Sequence, residues 1–161
     1  MNLSKLFKAP PARPHHRWLV PLLVLLAVAG FCDAAYLSAE HFAGVIPPCT
    51  LAGCDTVLTS AYSVMFGIPV AVLGALYYFA LLVVYLVYYE AKDTRALNFA
   101  FHLSVLGFIS DIWFVSAQAF IIHAWCQYCL FSAAASTLIF IFSYWELYKE
   151  GKEAGAFSAT E

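Results

Sequence analysis

The chain has 161 residues, of which 63% are hydrophobic and 11% charged, with a formal net charge of −2 and a mean hydropathy of +0.80. A soluble domain carries roughly a quarter charged residues, so most of this chain's surface faces something other than water. The near-neutral charge supplies no basic field for nucleic acid and excludes that class of partner.

A bilayer core takes about 20 apolar residues as a helix. The first stretch of that kind runs from Trp18 to Leu37, behind a basic lead of Lys5, Lys8, Arg13 and Arg17. A secretory signal would share that lead and a small-residue site at Ala27-Val28-Ala29. The apolar run continues past that site, which marks an uncleaved span. The Pro- and His-rich segment from Pro10 to His16 reads as a disordered tail. Cys32, near the outer end of this span, has no obvious partner and reads as a small buried apolar residue.

The loop from Ser38 to Met65 carries Cys49 after Pro47-Pro48 and Cys54 after Gly53. Asp55 to Tyr62 predicts a short helix with Cys54 at its start, lying over the mouth of the bundle. Gly67 and Pro69 mark the start of the second span, about Phe66 to Tyr89. The third span runs from about Leu97 to Ile122 and the fourth from about Cys126 to Tyr148. The runs are too long for strands and lack the alternation of a membrane barrel, which leaves helices. Tyr and Trp near the ends of these runs fit membrane interfaces.

All 8 Lys and Arg residues fall before the first span, at Lys92 and Arg95, or at Lys149 and Lys152. With four spans these places share one side. The positive-inside rule makes that side the cytoplasm and turns the Ser38 to Met65 loop and the turn from His123 to Trp125 outward. Both cysteine pairs, Cys49/Cys54 and Cys126/Cys129, then lie at the oxidising face, where disulfides persist.

Cys126-Gln127-Tyr128-Cys129 is a C-x-x-C opening a helix, so both sulfurs share one face. Cys126 sits near the helix N-terminus, where free N–H groups favour a thiolate. Cys129 lies about 4.5 Å deeper at the helical rise. The outer sulfur can meet another thiol, and the inner one something dissolved in lipid. Four cysteines allow three pairings, and spacing does not choose among them. Two structural disulfides stapling the loop to the bundle, or a four-cysteine zinc site, are the bland alternatives. A second pair beside a C-x-x-C on an oxidising face favours a relay.

Asp33 and Asp111 lie within apolar spans, where burial is costly and a functional role is the default. Asp111 reads as a proton-handling group in the bundle interior, with a hydrogen-bonded structural carboxyl as its alternative. His102 and His123 read as surface or interface residues rather than metal ligands.

Two strings carry more than spacing. One is Cys49-x4-Cys54-Asp55-x-Val57-Leu58-x-Ser60-x-Tyr62, followed by Gly67-x-Pro69 and Gly74. The other is Trp125-Cys126-x-Tyr128-Cys129-Leu130. In these the sequence resembles the vitamin K epoxide reductase family, specifically its bacterial members. The resemblance implies an all-α integral membrane four-helix bundle around a quinone, with a short capping helix in the first extracytoplasmic loop. The apolar spans and the Lys and Arg distribution divide the chain into a cytoplasmic tail (1–17), a transmembrane catalytic domain (18–148) and a second cytoplasmic tail (149–161).

Residue by residue, the resemblance makes Cys49 and Cys54 the loop shuttle pair and Cys126 and Cys129 the active-site pair. It makes Ser60 a quinone neighbour; the deeper position of Cys129 on the helix and the intramembrane carboxyl of Asp111 add those two residues to the quinone site. Family analogy favours Cys54 for the thiol partner and Cys49 for Cys126. The implied reaction moves electrons from a separate extracytoplasmic thioredoxin-fold protein, through the loop pair and the C-x-x-C, to a membrane ubiquinone or menaquinone. It would support disulfide formation from a bacterial inner membrane, with no metal. Two departures bear on this. Ala133 stands where the vertebrate enzymes carry a tyrosine, which favours a plain quinone over its epoxide. The chain also ends soon after the fourth span, without the thioredoxin-like domain that many bacterial members carry. The unrelated bacterial four-helix disulfide-forming family places its C-x-x-C in the first outward loop, the reverse of this order. A disulfide-stapled membrane scaffold without activity is the remaining reading.

Overall fold

The computed structural model describes residues 19–50, 53–91 and 93–158, with side chains to residue 152. The N-terminal tail, Trp18, Leu51, Ala52, Lys92 and residues 159–161 lie outside the described residues. Four helices are long and apolar enough to cross a membrane. They are α1 (Leu19–Ala43), α3 (Val70–Ala91), α4 (Thr94–Ala117) and α5 (Gln127–Ser158), with a short α2 (Cys54–Leu58) in the first long loop. The architecture is the expected all-α membrane bundle. Helix α1 packs on α3 and α5, and α4 packs on the same two, so α3 and α5 stand diagonally opposite.

The helix ends depart from the apolar runs for local reasons. Helix α1 continues beyond Leu37 through the helix-forming Ala39 and Glu40. It stops where Gly44 N–H bonds the His41 carbonyl (3.2 Å) and Val45 N–H bonds the Glu40 carbonyl (3.0 Å), a Schellman closure. The second span begins at Val70 rather than Phe66. Val64–Met65 (β1) and Ile68–Pro69 (β2) pair as a small antiparallel hairpin, with Val64 opposite Pro69. Its turn residues Phe66 and Gly67 both have positive φ, 55° and 80°. Two-residue hairpins of this twist need such a turn, and glycine takes it without a steric penalty.

Helix α4 starts at Thr94, where the Asp93 side chain accepts the Arg95 N–H at 2.9 Å and caps it. The expected helix over Asp55 to Tyr62 is shorter. It ends at Leu58, and a separate tight turn covers Ala61–Ser63. Thr59 and Ser60 break it: their hydroxyls donate to the Asp55 and Val57 carbonyls, both at 2.7 Å, offering the backbone an alternative to the next helical turn.

Tyrosines hold the centre of the bundle. Tyr78 and Tyr85 on α3 are buried in the core with Leu23, Ala27 and Ile139, so they are not interfacial residues. Their hydroxyls reach across to α5. Tyr78 donates to the Ser132 carbonyl at 2.7 Å, Tyr85 pairs with Ser143 at 2.6 Å, and Tyr77 with Ser136 at 3.1 Å. Without water nearby, each hydroxyl needs such a partner. Glycines let the rings through. A Cβ on Gly30 of α1 would fall inside the Tyr78 ring, and one on Gly107 of α4 would meet Tyr77. Phe108 and Phe140 stack at 4.8 Å between α4 and α5.

Cys32 is exposed on the outside of α1, which overturns its reading as a buried residue. The physical reason is helical register: the core face of α1 is carried by Ala27, Gly30, Ala34 and Leu37, and Cys32 falls between those positions.

Candidate functional site

The chain's alternation up and down the bundle brings the end of α1, α2, the start of α3, the end of α4 and the start of α5 to one end. All four motif cysteines meet there. Cys54, Val57 and Cys126 form a buried cluster, and Cys49, Tyr128 and Cys129 pack against it. Cys49 and Cys54 are joined in a disulfide with Cα atoms 6.2 Å apart. Cys126 and Cys129 are free thiols. Among the described residues no group of three or more His, Cys, Asp or Glu is arranged to hold a metal ion.

The two residues between the C-x-x-C sulfurs tie the loop down. The Gln127 side-chain oxygen accepts the Thr50 N–H at 3.0 Å and the Thr50 hydroxyl. The Tyr128 hydroxyl donates to the Pro48 carbonyl at 2.8 Å. Gly53 (φ +127°) closes the approach from the other side: a Cβ there would lie 3.0 Å from the Ala124 Cβ. Only glycine combines that dihedral with that clearance. The loop disulfide is thereby held against the start of α5.

Cys126 immediately precedes α5, and the Cys129 N–H points to its sulfur at 3.5 Å. The Cys129 thiol beside it, aided by the backbone N–H groups of Cys129 and Tyr128, pulls the Cys126 thiol down to about 7, against burial, which pushes it up. Hydrogen bonds to a charged form favour that form.

Below this end lies a cavity of about 840 Å³, within the range of small-molecule sites. Its walls are mostly apolar. Cys129, Ser60, Asp33, Asp111, Gln118 and Ala133 line it, and Cys126 does not. Asp33 and Asp111 each turn one carboxyl oxygen into the protein with no hydrogen-bond partner. Ser60 lines the cavity but gives its hydroxyl hydrogen to Val57. His102 and His123 are exposed. The structure therefore brings Cys49, Cys54, Cys126 and Cys129 into one cluster and sets Cys129, Ser60 and Asp111 on one cavity.

Sequence reasoning missed Gln118. It sits where α4 widens into a single looser turn, Gln118–Ile122, a distortion common at functional sites. Its side-chain oxygen accepts the Cys126 N–H at 2.9 Å, and its backbone carbonyl accepts the Ala124 N–H at 3.2 Å. A signal existed: an uncharged polar residue within an apolar span, open to the same reasoning that singled out Asp111. The tyrosines lining the cavity floor, Tyr77 and Tyr78, carried no comparable signal, because membrane tyrosines are commonly interfacial.

The sequence model described as the vitamin K epoxide reductase family matches residues 21–144. A search of individually curated proteins found no match.

Proposed function

Because this chain belongs to the vitamin K epoxide reductase family, whose members are quinone-linked oxidoreductases, we propose that it oxidises a thioredoxin-fold dithiol protein and reduces a membrane quinone. The observation that carries this reading is one continuous assembly. A loop disulfide packs on a free C-x-x-C pair, and the inner sulfur of that pair lines an apolar cavity.

The relay proceeds by thiol exchange. A partner thiolate attacks the loop disulfide, and a partner–Cys49 bond replaces the Cys49–Cys54 bond. The partner's second thiol releases Cys49 and leaves the partner oxidised. Cys49 is half-exposed while Cys54 is buried beside Cys126. Burial thus supports Cys49 as the sulfur that the partner meets and Cys54 as the one that reaches Cys126, the reverse of the order suggested by family analogy. The loop dithiol then reduces the Cys126–Cys129 disulfide and is itself reoxidised. Two electrons and two protons finally leave the Cys126/Cys129 dithiol for the quinone, which restores that disulfide and yields a quinol.

The chain's residues suit that acceptor. The cavity is large and mainly apolar, with Ser60, Gln118, Asp33 and Asp111 as isolated polar groups on its wall. A structural carboxyl with a buried oxygen lacking a partner costs stability, of the order of 1–3 kcal/mol, so Asp111 and Asp33 serve as proton-handling groups. Ala133 on the cavity wall offers no hydroxyl for opening an epoxide, which supports a plain quinone. The Lys and Arg distribution supports both termini in the cytoplasm and the cysteines outside, and the resemblance to bacterial members supports a bacterial inner membrane.

Purified protein should reduce a short-tailed ubiquinone or menaquinone when supplied with dithiothreitol, followed by quinone absorbance. Cys126→Ala and Cys129→Ala should each abolish turnover. Normal turnover by Cys126→Ala would sink the relay.

A further inference from the structure

Gln118 is a buried polar side chain on the cavity wall with a hydrogen-bond donor left over. It is only 2% exposed and lines the cavity with Cys129. Its orientation follows from its partner. The group that it meets is the Cys126 N–H, a donor, at 2.9 Å. Only the carboxamide oxygen can accept from it, so the nitrogen is the other atom of the amide. That nitrogen makes no hydrogen bond with any described residue. It is also not among the fully enclosed polar atoms that lack a partner, so it retains access to the cavity. A donor in so apolar a setting is costly unless something accepts from it.

Tyr62 and His41 on this wall are exposed, and three hydroxyl donors are engaged. Ser60 donates to the Val57 carbonyl, Ser110 to the Leu106 carbonyl and Tyr78 to the Ser132 carbonyl. The ligand class proposed for the cavity, a quinone, carries carbonyl oxygens that accept hydrogen bonds and no donor of its own. Its chemistry therefore calls for the group that Gln118 has free.

We propose that Gln118 binds the quinone, donating its side-chain N–H to a ring carbonyl oxygen while its own oxygen holds the Cys126 backbone. This rests on the quinone reading given above and assigns one residue within it. A single planar amide then links two parts of the reaction: one end fixes the turn that carries the C-x-x-C, and the other seats the acceptor beside that turn. Reduction turns the accepting carbonyl into a hydroxyl, which gains a donor and accepts less strongly. The amide thus favours the oxidised acceptor and helps to release the product.

The test separates the two ends of the amide in the purified full chain. Gln118→Glu, compared at a pH where its carboxyl is ionised, keeps a side-chain oxygen for the Cys126 N–H and loses the donor. Gln118→Met has similar length and loses both. Two quantities are measured: equilibrium binding of a short-tailed ubiquinone, and the rate at which dithiothreitol reduces the Cys126–Cys129 disulfide without quinone. The proposal expects Gln118→Glu to weaken quinone binding about tenfold, the scale of one lost hydrogen bond, and by a larger factor than it slows the dithiothreitol step. Gln118→Met should weaken binding and also slow the dithiothreitol step. Wild-type quinone binding by Gln118→Glu would overturn the proposal and leave the quinone reading standing. Equal damage to both quantities in Gln118→Glu would overturn it too, as a general disturbance of the turn. Failure of the wild-type protein to bind quinone would remove both.

Discussion

Cys126 and Cys129 are three residues apart yet occupy different surroundings. Cys126 is buried in the cysteine cluster, and Cys129 lines the cavity. The helical rise predicted such a division, because one turn separates an outer sulfur from an inner one. The direction of the Cys126 shift was also legible, since a helix start favours a thiolate. The main cause was not, because it lies in the Cys129 thiol itself. This gives a pH dependence with a definite sign. The thiolate is the nucleophile, so alkylation of reduced Cys126 should rise with pH through about 7 and level off above it. Cys129→Ala removes the largest lowering contact, so its midpoint should move upward toward the ordinary thiol range. Iodoacetamide labelling read at the Cys126 peptide by mass spectrometry measures both; identical midpoints would assign the shift to the helix start instead.

Between elements, the strap at Pro48 to Thr50 depends on Gln127 and Tyr128. No pattern marked these two residues as contacts, because hydrogen bonds spanning 77 and 80 positions of chain leave no trace in local spacing. Each such bond contributes about 1 kcal/mol, so removing the two from Thr50 to Gln127 and the one from Tyr128 to Pro48 should cost the docked loop about 3 kcal/mol. Tyr128→Phe with Gln127→Ala should therefore slow turnover with a protein dithiol by roughly two orders of magnitude. Turnover with dithiothreitol, which can reach the inner pair without the loop, should change little. Steady-state rates with the two donors provide the comparison, and equal losses would show that the strap serves only the start of α5. The long helices were legible because hydropathy alone sets their existence. Their ends were not. The α1 stop at Gly44 and the hairpin at Val64–Pro69 are set by backbone hydrogen bonding, which hydropathy does not report.

As a whole molecule, the bundle has two unlike ends. The cysteines and the cavity occupy one. At the other, the first turn of α4 carries Arg95, and the last turns of α5 carry Lys149 and Lys152. The charge pattern predicts that a cysteine placed at Asp93 is shielded from an impermeant thiol reagent in intact cells, while one placed at His123 is labelled. The measurement belongs in a background whose native cysteines are alanine, and labelling of the Asp93 site from outside would invert the orientation. The grouping of the cysteines at one end was legible from the even number of spans between the pairs. The tyrosine–serine ladder was not, because it joins diagonal helices through glycine gaps in the other two. That ladder has an electrical consequence. Tyr77 and Tyr78 close the bottom of the cavity, and Leu81, Tyr85 and Ile139 pack the bundle beyond it. The reaction chamber is thus a well with an insulating base. In the proposed reaction, electrons enter at the cysteine end and leave with the quinol into lipid, so turnover should move no charge from face to face and should not respond to the voltage across the membrane.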